Sequence, residues 1–355
     1  MKIMNDIFET RDGPVSPVEI GYMSETFTVP LTGSYNWDYQ VVDNRIRKIY
    51  ELGKILNWNS TIDLDWSSKF SEKKYYLDPS LNPFKDIVEF KKLSSEAKLA
   101  MDHHTLAWTL SQFLHGEQGA LMVASQLVNC APTHQAKLCA ASQAFDEARH
   151  VEVFNQYLKR IGVMYPIDSN LKKLLDSILT HPSWDIKFLG MQIIIEGLAL
   201  AAFESLKNTA QDPLLKEILR LVKRDEARHV TFGVNYLQDY TPNLSPSQIK
   251  ERENFAYEAC VVMRERLVNS QVPSEFLHIP ESEARDIVLE NAVMGEFREI
   301  LFANIIPNLK RVGLLSASLE KRFSKLGIMK YVDFENADEL SLASLETPLF
   351  KDKAS

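Results

Sequence analysis

The sequence predicts an all-α fold, a four-helix bundle extended by additional helices, and three observations lead to this prediction. Several long segments are apolar around most of their circumference, as in GMQIIIEGLALAAF at 190–203, a pattern typical of helices in the centre of a bundle. No run combines alternating apolar and polar residues with β-branched enrichment, so strands are expected to be few or absent. The pentapeptide Asp-Glu-Ala-Arg-His occurs twice, at 146–150 and 225–229, which indicates two equivalent helices.

Residues 1–85 are predicted to form an irregular lead-in packed on the bundle. Residues that favour turns interrupt this part repeatedly. They are Pro14, Pro17, Pro30, Gly33, Pro79 and Pro83. One short helix is expected here, from Asn44 to Leu56.

Residues 86–310 are predicted to hold the bundle. Pro132 separates the first two helices, with Thr133 as the N-cap of the second and Gly162 at its end. A later helix begins at Asp212-Pro213, because proline is favoured at the first helical position. The predicted helices span Leu93–Asn129, Thr133–Arg160, Ser169–Leu179, Ser183–Asn208, Pro213–Tyr240, Ser245–Asn269 and Ser282–Ala303. Residues 311–355 are predicted to form a short helix and a tail.

The composition fits an ordinary globular protein and argues against several other classes. The chain has 355 residues, 45% of them apolar, and a formal net charge of −8 without a basic stripe, so we expect no nucleic-acid partner. Three widely spaced cysteines argue against a disulfide framework and a thiolate metal site. The N-terminus lacks the apolar core of a secretory signal, and the apolar run at 190–203 is interrupted by Glu196 and short for a bilayer span. We therefore expect a cytoplasmic protein without a membrane span.

The repeated pentapeptide places a glutamate and a histidine three residues apart in each copy, Glu147 with His150 and Glu226 with His229. On an α-helix such residues are neighbours, about 5–6 Å apart at Cβ, so both side chains can reach one metal ion. A single pair of this kind is usually a solvated helix face. Two copies within identical pentapeptides favour a binding site.

Each copy is preceded, 30 residues upstream, by a carboxylate in an apolar helical stretch: Glu117 before Glu147 and Glu196 before Glu226. A buried, unpaired carboxylate costs much free energy, which a bound cation would offset. One Glu from each of two helices, with Glu-x-x-His from each of two others, is the known ligand pattern of di-iron and di-manganese carboxylate bundles. The sequence therefore predicts a di-metal centre formed by Glu117, Glu147, His150, Glu196, Glu226 and His229.

The donor set also indicates the metal. Four carboxylates and two imidazoles without a thiolate suit iron or manganese better than a structural zinc site. Four carboxylates also carry four negative charges, which two divalent cations would neutralise.

The aspartate before each motif glutamate has an expected supporting role. A metal-bound histidine usually donates its second ring N–H to a carboxylate. In an antiparallel bundle Asp146 would orient His229 and Asp225 would orient His150, with the motif arginines paired to these aspartates; ordinary surface charge is the alternative. The candidate supporting residues are Asp146, Asp225, Arg149 and Arg228.

At these residues the chain resembles the ferritin-like di-iron carboxylate superfamily, over about residues 90–240. Its members include ribonucleotide reductase small subunits, bacterial multicomponent monooxygenases, acyl-carrier-protein desaturases and p-aminobenzoate-type N-oxygenases. The segment that begins with Asn57-Trp58 is also similar to the lead-in of some bacterial members. The resemblance implies a ferritin-like bundle with a bridged di-iron centre that reacts with dioxygen.

Three positions help to place the chain within the superfamily. Ribonucleotide reductase small subunits carry a radical tyrosine seven residues after the first motif glutamate, where this chain has Phe154. Some N-oxygenases carry a third histidine seven residues before the last ligand histidine, where this chain has Val222. Glu204, two turns beyond Glu196, is a candidate accessory ligand, although such a carboxylate is more often solvated or salt-bridged.

The leading functional hypothesis is an oxygenase that uses two iron ions, or a manganese–iron pair, and dioxygen. It would hydroxylate, N-oxygenate or otherwise oxidise a small organic substrate, with electrons from an external donor such as a ferredoxin or reductase. Two alternatives stay open: a ribonucleotide reductase small-subunit-like ligand-binding oxidase or radical generator, and a ferroxidase or metal-handling protein. A homodimer is also left open.

Overall fold

The computed structural model describes residues 24–40, 43–71, 73–266 and 268–333. In this part of the chain the only β-pairing is an isolated bridge between Leu77 and Ala210, and all regular elements are helical. The prediction of an all-α fold is therefore confirmed. Pro14, Pro17 and most of the predicted C-terminal tail lie outside the described residues.

Most helices follow one another with short connections, and the exception is the segment 56–87 between the first two helices. The first half of the chain contains α1 Asn44–Ile55, α2 Val88–Lys92, α3 Ser95–Cys130, α4 His134–Ile161 and α5 Ser169–Leu179. The second half contains α6 Trp184–Thr209, α7 Pro213–Tyr240, α8 Pro246–Arg266, α9 Gln271–Leu277, α10 Glu281–Glu290, α11 Ala292–Ile300, α12 Ile305–Arg311 and α13 Ala317–Lys325. Short 3₁₀ turns at Pro79–Leu81, Thr241–Asn243, Leu301–Ala303 and Met329–Tyr331 complete the described elements.

Two helix hairpins, α3 with α4 and α6 with α7, form the four-helix bundle, and α4 also packs against α7. The helix ends follow from local sequence. Thr133 caps α4 by accepting the backbone N–H of Ala136, and Gly162 ends that helix with a φ of 75° in the left-handed region. Asp212 caps α7 by accepting the backbone N–H of Leu214.

Helix α6 is continuous but irregular. Its middle part, Leu189–Ile195, is a π-helical segment that ends immediately before Glu196, and such segments often occur at functional sites. By length and composition alone this 26-residue helix could cross a membrane, with a mean hydropathy of 1.7, yet 89% of its most apolar window is buried inside the protein. The sequence suggested that this apolar stretch is too short to span a bilayer, but α6 is long enough. Its burial inside the protein is what identifies it as a central helix of the bundle.

The remaining helices surround the bundle. Helix α1 packs on α4 and α7, and α9 packs on α3. The helix predicted over Ser282–Ala303 is instead interrupted at Asn291 and ends in a 3₁₀ turn. Helix α9 was not predicted, because a helix of seven residues that contains Pro273 gives little periodicity. The domain boundaries at residues 85 and 310 stay predictions.

The polar centre of the bundle lies between two apolar cores. One core includes Val123 of α3, Ala140 of α4 and Val234 of α7. The other includes Leu110 of α3, Val153 of α4 and Leu219 of α7. On each of these helices the predicted ligands lie between the residues of the first core and those of the second.

Candidate metal centre

The structure brings all six predicted ligands together in the middle of the bundle. Two overlapping groups of side chains offer ligand atoms that lie within 4.8 Å of one another. The first group is Glu117, Glu147, His150 and Glu226; the second is Glu147, Glu196, Glu226 and His229. Because Glu147 and Glu226 belong to both groups, two ions held here would share these two carboxylates.

The cluster is almost completely removed from solvent. None of the six residues is more than 6% exposed. Burial raises the pKa values of Glu117 and Glu196 well above the ordinary value, and the nearby charge of Glu226 adds to this effect. Four carboxylates buried together are unfavourable unless positive charge nearby compensates them.

The two imidazoles supply part of that charge when no cation is present. Burial by itself lowers the pKa values of His150 and His229, but the surrounding carboxylates raise both well above the ordinary value. In the same way, burial favours protonated Glu147, yet His229 and His150 beside it lower its pKa. Without a metal, protons on His150 and His229 therefore compensate part of the carboxylate charge that bound cations would otherwise compensate.

Both histidines point the same ring nitrogen into the cluster. Nδ1 of His150 lies 3.2 Å from Glu147 and 3.1 Å from Glu226, and Nδ1 of His229 lies 3.1 Å from Glu147. The other nitrogen, Nε2, points outward to an aspartate: His150 to Asp225 at 3.3 Å, and His229 to Asp146 at 3.2 Å. These are the two cross-pairings expected from the sequence.

The aspartates are held ionised by the two motif arginines. Arg149 donates to Asp146 at 2.6 Å and to Asp225 at 2.9 Å. Arg228 also contacts both aspartates, at 2.8 Å in the case of Asp225. Although burial opposes it, Arg228 keeps the pKa values of Asp146 and Asp225 below the ordinary value. An ionised aspartate only accepts hydrogen bonds, so each histidine donates Nε2–H outward and has Nδ1 available for a metal.

Several atoms in the cluster lack a hydrogen-bond partner, and they provide a test of whether the residues fit a metal pair. These buried atoms are Glu196 Oε2, Glu226 Oε1 and His229 Nδ1; the last two lie 3.1 Å from His150 and Glu147, respectively, but form no hydrogen bond with them. Each belongs to a side chain that is a predicted ligand. Unsatisfied buried polar atoms are costly and rare, and oxygen and imidazole nitrogen ligands are suited to iron or manganese. The residues present therefore fit a di-metal centre.

The candidate accessory ligand is not part of the cluster. Glu204 is bound by Lys207 at 2.7 Å and Lys223 at 2.6 Å, and these lysines lower its pKa to about 2 although burial opposes them. Glu204 is therefore salt-bridged and is not an accessory ligand, which was the alternative given from the sequence. Phe154 is fully buried, and the nearby Tyr157 donates to Asp212 at 2.8 Å rather than to a ligand.

The structure also shows residues in contact with the centre or its supporting groups that were not predicted as site residues. Gln143 donates from Nε2 to Glu196 at 2.6 Å and to Glu147 at 3.2 Å, and it accepts from Gln192 at 3.0 Å. Trp58, in the lead-in segment, donates its indole N–H to Asp225 at 2.7 Å. The signal for Gln143 is its position one helical turn before Glu147; Trp58 is far from the motifs in sequence and gives no comparable signal.

Comparisons with known proteins agree with this geometry. The family model "P-aminobenzoate N-oxygenase AurF" matches residues 40–313. Among solved structures, an R2-like ligand-binding oxidase with a reconstituted Mn/Fe cofactor is 17% identical, with a TM-score of 0.51 over 80% of this chain and 99% of that one. A point mutant of such an oxidase gives 17% identity and a TM-score of 0.46 over 79% of this chain and 96% of that one. A search of curated proteins finds no match.

The first structural neighbour shows that the fold is the ferritin-like bundle that the resemblance implied. The family model covers more than three quarters of the chain, including both motifs and the lead-in segment around Trp58. The chain, an oxidoreductase with a buried centre suited to two metal ions, therefore belongs to the p-aminobenzoate N-oxygenase AurF family.

Proposed function

We propose that this protein is a di-iron oxygenase that uses dioxygen to oxidise a small organic substrate, with N-oxygenation of an amine as the favoured reaction. The observation that carries the proposal is the sharing of Glu147 and Glu226 between two four-residue ligand groups. A site for one metal ion would need only one of these groups. The family match supports the amine as the reacting group.

In this proposal the six ligands divide between two metal positions. Glu117 and His150 would hold one iron, and Glu196 and His229 the other, with Glu147 and Glu226 between them. Four carboxylates balance two divalent cations. The pair of iron ions, once bound, would supply electrons to dioxygen, and an external donor such as a ferredoxin or reductase would restore them.

The residues around the ligands have three tasks. Asp146 and Asp225 fix the histidine tautomer by accepting Nε2–H, so that Nδ1 faces the metal position. Gln143 orients Glu196 and Glu147 through its amide. The two apolar cores on either side of the centre exclude water, which strengthens electrostatic interactions between the buried groups.

Anaerobic loading with iron(II) followed by mixing with dioxygen tests the proposal. We expect two iron ions per chain, an oxygen-dependent absorption change, and transfer of labelled oxygen to a small aryl amine detected by mass spectrometry. The Glu147→Ala variant should lose these signals, and the Glu204→Gln variant should keep them because Glu204 is bound by two lysines outside the cluster. A loaded wild-type protein without an oxygen-dependent absorption change would rule out the oxygenase.

A manganese–iron oxidase is the second candidate, favoured by Phe154 at the usual position of the radical tyrosine. The R2-like neighbour carries a reconstituted Mn/Fe cofactor. Loading with equal amounts of both metals, followed by metal analysis and electron paramagnetic resonance, separates the candidates. One manganese and one iron per chain with a coupled signal would favour the oxidase. A ferroxidase would instead accumulate many iron ions per chain.

A further inference from the structure

A cavity of about 650 Å³ lies at the end of the bundle, where the lead-in crosses the turn between α3 and α4. The first residue of α6 and the end of α7 complete its lining, and its volume suits a small molecule. Along α4 the lining ends at Gln135, 12 residues before Glu147, and along α7 it begins at Tyr236, 10 residues after Glu226. These separations correspond to roughly 18 and 15 Å along the helices, so the cavity is separate from the metal centre.

The lead-in forms one wall of this cavity and is fastened to the bundle by hydrogen bonds. Asn36 donates from Nδ2 to the carbonyl of Pro132 at 2.7 Å, and the backbone N–H of Asp43 donates to Gln135 Oε1 at 2.6 Å. The first of these bonds fixes the orientation of the Asn36 amide. Asn36 Oδ1 is buried and has no hydrogen-bond partner. Since buried acceptors are rarely left unpaired, this wall has an acceptor available for a ligand.

Aromatic side chains supply much of the apolar lining. Trp184, Tyr236 and Tyr240 are partly buried against the bundle core, and the ring centroids of Trp184 and Tyr240 are 4.4 Å apart. On the lead-in, the rings of Tyr35 and Trp37 stack with their centroids 5.1 Å apart, yet these residues are 83% and 75% exposed. Exposed aromatic residues grouped at a cavity are typical of a binding surface.

The charges around the cavity favour a cation. Three aspartates line it, Asp38, Asp43 and Asp239, and no lysine or arginine of the described residues does so. Arg45, outside the lining, contacts Asp43 at 2.8 Å and also contacts Asp239, so it compensates one of the three charges. Helix starts can attract anions through their free N–H groups, but Asp43 caps α1 and Thr133 caps α4. The remaining negative charge therefore selects a positively charged ligand.

The arrangement of these carboxylates favours an organic cation over a metal ion. In the described part of the chain, the groups of three or more side chains whose ligand atoms lie within 4.8 Å of one another belong to the di-metal centre, and they include none of the three aspartates. Aromatic faces, by contrast, attract the diffuse charge of an ammonium or guanidinium group. Rings and separated carboxylates together therefore match a cation larger than a metal ion.

We propose that this cavity binds a small organic cation, such as a quaternary ammonium compound. The rings of Trp37 and Trp184 contact its charged group, and Asp38 and Asp239 supply the compensating charge. Asn36 Oδ1 accepts a hydrogen bond from a ligand that also carries an O–H or N–H group. The site requires neither the metal pair nor dioxygen, so it goes beyond the proposed oxygenase and is tested independently of it.

Two probes of the same shape test the role of charge. Choline and dimethylbutanol, the neutral analogue in which carbon replaces the ammonium nitrogen, are titrated into the full-length, iron-loaded protein and followed by calorimetry and tryptophan fluorescence. Wild type should bind choline about 10-fold more tightly than the alcohol or better, the effect of a partly desolvated cation–π contact. Added salt should weaken choline binding alone. Equal binding of the two probes by wild type would overturn the inference.

Trp37→Leu and Asp38→Asn test the location of the site. Both side chains are exposed, so each variant should keep the wild-type melting temperature while its choline affinity falls by about 3- to 10-fold. Phe27→Leu is the control for loss of an exposed aromatic ring outside the lining. Asp65→Asn is the second control, because Asp65, like Asp38, accepts the backbone N–H of the residue two positions further on. Wild-type choline affinity in both Trp37→Leu and Asp38→Asn would exclude this cavity.

Two further measurements identify the source of the cation and separate it from the metal centre. A short arginine peptide blocked at both ends is compared with its citrulline counterpart and with choline. Choline binding as tight as that of the arginine peptide, or tighter, supports a free small molecule, whereas much tighter binding of the peptide would replace it by a basic side chain of a partner polypeptide. Removal of iron with a chelator should leave choline affinity unchanged, and a loss of affinity would place choline at the metal centre instead.

Discussion

The two halves of the metal centre carry the same ligands in different surroundings. Each half has one glutamate from a first helix, a Glu-x-x-His pair from a second, and an aspartate that receives the outward N–H of the opposite histidine. One helical turn before the motif glutamate, however, the first copy has Gln143 and the second has the fully buried Val222. One turn after the histidine, the first has Phe154 and the second has Gly233.

These differences are connected through Gln192, which lies in the π-helical segment of α6. Its amide donates to Gln143, and a Cβ on Gly233 would lie 2.5 Å from the Cβ of Gln192. Because Gly233 has no side chain, Gln192 can lie where its amide donates to Gln143, and Gln143 in turn donates to Glu196. The repeat thus determines the ligands, whereas unrepeated residues determine what is next to each metal position.

The largest effects are expected where the halves share a ligand. Glu147→Ala and Glu226→Ala each remove a carboxylate that belongs to both groups, so binding of both iron ions should weaken by on the order of 100-fold or more, exceeding the effect of changing a hydrogen-bond partner of a ligand. Glu117→Ala and Glu196→Ala should each mainly weaken the binding of one ion. Metal content after gel filtration measures this. Equal loss in all four variants would contradict the division into shared and separate ligands.

The next largest effects concern the aspartates. Asp225→Asn should weaken iron binding by about 10–100-fold, and Asp146→Asn should fall at the lower end of that range. Asp225 accepts from Trp58 in addition to both arginines and His150, so its replacement disturbs more donors. Competition with a chelator measures the affinities.

Asp212→Asn is the control for loss of a buried aspartate. Asp212 caps α7 and accepts from Tyr157, away from the metal centre. This variant should lower stability and leave iron affinity unchanged. A larger effect of Asp146→Asn than of Asp225→Asn would mean that Trp58 does not reinforce the His150 side.

Glycine substitutions test the space around Gln192. Gly233→Ala should lower the free energy of unfolding by about 1–3 kcal/mol, because the new methyl overlaps Gln192 close to the backbone. Gly116→Ala, in α3, is the matched control: a Cβ at this position would meet no other atom within 4 Å, so helix propensity should make the change stabilising by up to about 1 kcal/mol. Urea unfolding of metal-free protein measures both. Similar stabilities for the two variants would show that Gln192 is free to move.

The ligands could be predicted from sequence because the repeat supplies two independent copies of one spacing. Glu-x-x-His on a helix fixes two neighbours without knowledge of the tertiary structure, and the equal upstream offset identifies the helix partner. The cross-pairing of Asp146 with His229 follows from antiparallel helices for the same reason. The Glu-x-x-His relation depends on helix geometry alone, whereas the cross-pairing also depends on the antiparallel arrangement that the bundle supplies.

Residues outside the repeat could not be placed in this way. Trp58 reaches Asp225 across 167 positions of sequence. The π-helical segment of α6 also has no distinctive sequence pattern, although it determines where Gln192 lies. The break at Asn291 has a local cause instead: its side chain accepts the backbone N–H of Met294 at 3.1 Å, and no proline or glycine marks the position in the sequence. Tertiary packing decides where Trp58 and Gln192 lie.

The smallest effect is expected when Gln143 is replaced by valine, the residue that the second copy has at the equivalent position, Val222. In Gln143→Val, Glu196 loses the donor at 2.6 Å but keeps its place as a ligand. Loss of this donor, the shorter of the two that Gln143 makes, should weaken binding of the iron ion beside Glu196 and His229 by about 2- to 10-fold, with a smaller change at the other position. Stepwise iron titration followed by spectroscopy resolves the two binding steps. The reverse change, Val222→Gln, places an amide at a fully buried position of an apolar cluster, one helical turn before Glu226, and should lower stability because burial of the amide costs free energy. If Gln143→Val weakened both steps equally, the amide would act on the shared carboxylate Glu147, and the two metal positions would be equivalent after all.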